Sequence, residues 1–134
     1  MPYEILPHTA DIGIEARAAA LPDVFAEAAR GLAAIILDGD PPESNRTSDI
    51  AVDGSDLEDT FVQFLEECLY RYETSGELVV GAELKHVSPT RAEGQVFVVD
   101  DADAAGPMIK AVTYHGLVVT RVANGWMARC YLDV

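Results

Sequence analysis

The order of apolar and polar positions along the chain predicts two helices and a larger set of strands. Tyr3 to Leu6 reads as a short strand, and His8-Thr9-Ala10-Asp11 follows as a turn. From Ile12 to Ala18 apolar and polar residues alternate, which is the period of a half-buried strand. Pro22 fits the first turn of a helix, with Asp23 well placed near its positive end. Val24, Phe25, Ala28, Leu32, Ile35 and Ile36 then keep one apolar face as far as Leu37. Asp38 to Ser44 is a loop by composition, and Ile50 and Val52 mark a strand over 47–53. Ser55 and Glu58 have the spacing of a capping box, which opens a second helix from Asp56 to Thr74. Its apolar face is Leu57, Phe61, Phe64, Leu65, Cys68, Leu69 and Tyr72, and Ser75-Gly76 stops it.

Beyond Gly76 the pattern is all strand: 77–87, 91–99, 108–114, 117–122 and 126–132. Ser88-Pro89 makes one turn, and Asn124-Gly125 is a two-residue hairpin signal. The stretch Asp100 to Pro107 reads as an acidic, mobile linker. The expected fold class is α+β: one domain over 1–134, mostly antiparallel sheet, with two amphipathic helices packed on it. Each helix has one apolar stripe, so both are expected to cover one face of the sheet.

Composition narrows the function. The chain has 134 residues, 49% of them apolar, enough for a real core at this size. Its 9 lysines and arginines face 23 aspartates and glutamates, a formal net charge of −14. Such a surface repels phosphate backbones, so no direct nucleic-acid binding is expected, and a basic protein or a cation is the better partner. The longest apolar stretch, Leu32 to Leu37, is too short to span a bilayer. Met1 to His8 carries no export pattern. Cys68 and Cys130 are therefore read as reduced, buried thiols in a cytoplasmic protein. There is no phosphate loop, nucleophile elbow, HExxH or GxGxxG.

Three places could carry chemistry. Asp11, at a turn–strand junction, suits either a hard-metal ligand or a turn cap, and His8 suits a base, a ligand or a structural hydrogen bond. At the C-terminus, a strand carried to Leu132 would pin the Asp133 side chain beside the terminal carboxylate of Val134. Two adjacent anions repel unless a cation lies between them, and oxygen ligands suit Mg²⁺, Mn²⁺ or Ca²⁺; the alternative is a solvated acidic end. The third place is Ile109 to Gly116. Strict alternation there puts Lys110, Val112 and Tyr114 on one strand face and Ile109, Ala111 and Thr113 on the other. Lys110 reads as a functional cation or a solvent-facing spacer, Tyr114 as packing, and His115 as the entry to a turn at Gly116. Glu66-Glu67 and Asp100-Asp101-Ala102-Asp103 read as solvated faces.

YEILPHTADIGIEA at the start, the DLED that opens the second helix, IKAVTYHGL and the closing YLDV together resemble the archease family. The match runs in order over most of the chain. It departs at AALPDVF, where the family usually has a Thr-Leu-Glu-Glu-type start, and at the linker DDADAAGPM, which lacks the usual basic and His residues. The resemblance implies a protein cofactor of the RtcB-type RNA ligase of tRNA splicing and RNA repair. That ligase uses manganese and GTP, and the family promotes its guanylylation and multiple turnover. By the same resemblance Asp11, Asp133 and the Val134 carboxylate map onto a divalent-metal site, and Lys110 onto a functional lysine. His8, Thr9, Tyr114 and His115 lie in the same motifs with no role carried over.

Two other readings compete. An autonomous metal-dependent phosphoesterase would use the same oxygen ligands with Lys110 nearby, but no nucleophile stands beside them. An acidic, chaperone-like scaffold would bind many partners and tolerate loss of Asp11 and Asp133.

Overall fold

The computed structural model describes residues 2–7 and 11–134. The order of elements is β1 (Tyr3–Pro7), β2 (Asp11–Ala18), α1 (Leu21–Leu37), β3 (Arg46–Asp53), α2 (Leu57–Ser75), β4 (Glu77–Ser88), β5 (Arg91–Asp100), β6 (Ala111–Val122) and β7 (Gly125–Asp133). His8, Thr9 and Ala10, read above as a turn, lie outside the described residues, while Asp11 is the first residue of β2.

The strands make two antiparallel sheets, β1-β2-β7-β6 and β3-β5-β4. Helix α1 packs against β2 and β4, and α2 against β6 and β4, so the helices link the two sheets rather than covering one. The class is the expected α+β, but the sheet is divided. The chain ends pair with each other in the first sheet, while the strands flanking α2 both pair with β5 in the second.

Helix α1 follows its apolar period. Val24, Phe25, Ala28, Leu32, Ile35 and Ile36 are all buried, and Ala29, Gly31 and Ala33 join them. Small residues bring the helix close to the sheet: a Cβ on Gly31 would lie 3.0 Å from Ile14 Cγ2. Asp38, left-handed at φ 58°, ends the helix, and its amide donates to the Ile35 carbonyl.

Helix α2 begins one residue later than the sequence suggests. Asp56, not Ser55, is the N-cap: its Oδ1 accepts the Asp59 amide at 2.8 Å. Asp59, not Glu58, reaches back, with Oδ2 accepting the Ser55 amide at 2.8 Å. Asp caps as well as Ser, so the acidic run offers two registers of the same motif, and the fold takes the second. Gly76, at φ 74°, closes α2 in the left-handed conformation that glycine adopts without penalty.

The core lies where the helices meet. The Phe25 ring packs edge-on to Phe61 at 5.1 Å between centroids and tilted against Phe64 at 5.6 Å. Cys68 and Cys130 are free and buried, as expected, and burial pushes both thiols up to about 12. Neither is a nucleophile at neutral pH.

Three local expectations change. The strands read at 108–114 and 117–122 are one strand, β6, whose pairing with β7 is irregular between Thr113 and Val118. Gly116 sits in that irregularity at φ 69°, and a Cβ there would lie 2.9 Å from the Tyr131 ring. The hairpin is present, but its turn is Ala123-Asn124, with Gly125 already paired to Val122. The acidic linker is tied down: the Gly106 amide donates to the Ile36 carbonyl at 3.0 Å, and Ala102 packs on the core. A Cβ on Gly106 would overlap the Ile35 carbonyl oxygen. Gly106→Ala is therefore expected to lower stability by about 1–3 kcal/mol, the usual range for overpacking. Urea unfolding checks this, with an unchanged slope and an earlier midpoint.

Candidate functional site

The four-stranded sheet brings the chain's two ends together. Asp11 opens β2, Asp133 closes β7, and the two stand directly opposite in register. Across β7, Ala111 at the start of β6 is also opposite Asp133. The amide of the preceding residue, Lys110, donates to the Asp133 carbonyl at 2.7 Å. At the end of β7 the Val134 side chain packs on the core.

Residues opposed across antiparallel strands share a face, with Cβ atoms about 5 Å apart. Two carboxylates at that separation repel by about 1 kcal/mol in water and about 3 kcal/mol near a protein surface. Glu15, on the same face, is matched. Glu15 of β2 stands opposite Arg129 of β7, and Arg129 Nη2 donates to Glu15 Oε1 at 2.8 Å. That hydrogen bond is the main reason the Glu15 carboxyl lies below its usual range. No ion pair among the described residues reaches Asp11 or Asp133.

A divalent cation fits this donor set in kind. The carboxylates of Asp11 and Asp133 are hard oxygen ligands, and the terminal carboxylate of Val134 follows Asp133 directly in the chain. Among the described residues no three Asp, Glu, His or Cys side chains converge on one point. Asp11 and Asp133 are the pair of carboxylates that the sheet register sets opposite each other.

The reading of Lys110 by alternation changes. Ile109 and Val112 are both buried and Lys110 is exposed, so the period of two fails just before β6 begins. Lys110 does not share the buried face of Val112. Its backbone is fixed on Asp133 and its ammonium has no ion-pair partner among the described residues.

The Archease protein family model matches residues 3–134. The chain belongs to the archease family. It is 34% identical to the archease of Pyrococcus furiosus, over 98% of each chain, and 31% identical to that of Methanopyrus kandleri, over the whole of both. The fold is similar to the solution structure of protein 1598 from Methanobacterium thermoautotrophicum, with a TM-score of 0.76 at 20% identity, covering 99% of each chain. It is also similar to the crystal structure of an archease, described as a possible chaperone, from Thermotoga maritima, with a TM-score of 0.65 at 18% identity over 96% and 94% of the two chains.

Within this archease fold, the structure changes the reading of several residues that the sequence marked as solvated or packed, and adds Asp59. Glu66 is not a solvated acid: its Oε1 accepts the Val112 amide at 2.9 Å. Since β6 is an edge strand, this carboxylate satisfies a donor the sheet leaves open. Glu67 binds Arg71 at 2.8 Å, and Asp100 binds Arg46 at 2.8 Å, so these acids are paired as well. Tyr114 is 57% exposed rather than packed, but its hydroxyl donates to Asp59 Oδ1 at 2.5 Å. Two clasps therefore run from α2 to β6 beside the Lys110 segment. The DLED motif was the only sequence signal for Asp59, and Glu66 stood out only as part of an acidic pair read as solvated. His115 is exposed.

The Tyr114 hydroxyl, then the Ser55 amide and Gln63, pull the Asp59 carboxyl down to about 2. A depressed carboxyl contributes stability that is complete above its unfolded value near 3.9 and is lost as pH falls through the folded value. The stability advantage of the chain over its Asp59→Asn variant is thus expected to shrink between about pH 4 and about pH 2. Thermal midpoints of both proteins across that window check it; a constant difference would mean the carboxylate charge contributes nothing.

Proposed function

We propose that the chain is a protein cofactor of an RtcB-type RNA ligase, promoting its GTP-dependent guanylylation and multiple turnover in tRNA splicing or RNA repair. The proposal rests on family membership. The single observation that carries it is the opposition of Asp11 and Asp133 at one end of a sheet, with the Lys110 amide on the Asp133 carbonyl. In this reading Asp11, Asp133 and the Val134 carboxylate hold a divalent cation, Ca²⁺, Mg²⁺ or Mn²⁺. Such a cation supplies charge for phosphate oxygens at the ligase centre. The chain's own part is positional. The β7 terminus presents the carboxylates at a chain end, where another protein's cleft can receive them. Lys110, exposed and unpaired, is available to a nucleotide phosphate. The net charge of −14 favours a reading in which the ligase binds the RNA and this chain contacts the protein.

No helix among the described residues is long and apolar enough to cross a membrane. With two buried free thiols, that supports a cytoplasmic setting.

The test is guanylylation of the cognate ligase with labelled GTP and Mn²⁺, with and without the chain. The expected result is faster and more complete labelling with it. Equal labelling, together with metal-dependent phosphoester hydrolysis by the chain alone, would favour the phosphoesterase reading instead.

A further inference from the structure

Four residues of α2 lie off its buried face in one line: Asp59, Gln63, Glu66 and Tyr70, spaced four, three and four apart. Beside them a shallow groove of about 380 Å³ separates α2 from the end of β3, lined by Val52, Asp53, Gln63, Glu66, Glu67 and Tyr70. Two of the four large hydrophobic side chains exposed among the described residues lie here: Tyr70 in the stripe at 61% and Tyr114 beside it at 57%. Tyr114 is nonetheless held rigid, its hydroxyl donating to Asp59 and lying 3.4 Å from Gln63 Nε2. An exposed aromatic ring fixed in advance loses little entropy on binding, and aromatic anchors of this kind dominate interfaces. The backbone under the stripe is fixed too, since Arg71 of α2 donates to the Asp49 carbonyl of β3 at 2.8 Å.

We propose that this α2 face, with Tyr70 and Tyr114 as anchors, is the docking surface for a basic, arginine-bearing surface of the ligase. This rests on the function proposed above. Charge selects the occupant: Asp53 and Glu67 at the groove are already paired with Arg91 and Arg71, but Glu66, and Asp59 in the same stripe, are held only by neutral donors and keep their charge uncompensated, in a protein of net charge −14. A guanidinium suits such a groove, and its flat face stacks on tyrosine. The surface is continuous with the candidate centre, because the stripe holds β6 through Glu66 and Val112, two residues beyond Lys110. Docking here sets the Asp11–Asp133 end beside the partner without using it as the grip.

The experiment is calorimetric titration of the purified ligase with the intact chain and its variants, with guanylylation measured on the same samples. Tyr70→Ala is expected to weaken binding by about tenfold or more, and Tyr70→Lys by more still. Both should leave the thermal midpoint unchanged, because the side chain is exposed. Gln95→Ala, on the exposed face of the second sheet, is expected to stay within about twofold, and wild-type affinity to fall with added salt. If the wild type binds and stimulates while both Tyr70 variants bind within about twofold of it, the docking face is wrong and the proposed function stands. If the wild type neither binds nor stimulates, both fall.

Discussion

Asp133→Asn is expected to abolish stimulation of the ligase, while the metal-free protein is expected to melt at or slightly above the wild type. Both halves follow from the register. In the metal-free chain Asp133 faces Asp11 across β2 and β7 with no cation among the described residues to offset the repulsion. Removing one charge relieves about 1–3 kcal/mol of repulsion at most. The main-chain bond from Lys110 to Asp133 does not involve the side chain and survives the substitution. Adding metal is expected to reverse the order. A ligand that binds only the folded state stabilises it by about 2.7 kcal/mol at a hundred times its Kd, and the variant loses that increment with the carboxylate. Thermal melts with and without Mn²⁺ read the crossover. A variant less stable than the wild type in chelator would mean that Asp133 is a structural residue.

Phe25→Ala is expected to have the largest effect on stability, about 3–5 kcal/mol. The ring is fully buried and touches Phe61 and Phe64, so its loss removes the packing between the two helices. Because α1 and α2 also join the two sheets, neighbouring atoms can collapse into the space only by moving a whole layer. A domain of this size has a total stability of about 5–15 kcal/mol, so the variant is expected to sit near the edge of folding. Urea denaturation measures it; a loss below about 1 kcal/mol would show that the helix interface repacks freely.

What could be read from sequence divides by range. Helix α1 was fully legible, because a period of 3.6 is a local signal and every residue named for its apolar face is buried. The strand ends holding Asp11 and Asp133 were legible singly. Their opposition was not: 122 positions separate them, and alternation sets a residue's face without naming the neighbouring strand. The split into two sheets was lost for the same reason. At Ile109–Val112 alternation failed outright, because the segment enters the sheet only at Ala111. The capping box slipped by one residue because Ser55-Asp56 and Glu58-Asp59 offer equivalent chemistry. The clasps of Glu66 on Val112 and Asp59 on Tyr114 join residues 46 and 55 positions apart, and an acidic helix face looks solvated until its partner strand is in place.

The central claim is that this chain serves an enzyme rather than being one. RNA joining by the cognate RtcB-type ligase tests it most directly, with RNA in excess, GTP and Mn²⁺, with and without the chain. The account requires the ligase alone to stall near one turnover and to continue once the chain is added. Equal yields with and without it would contradict the account.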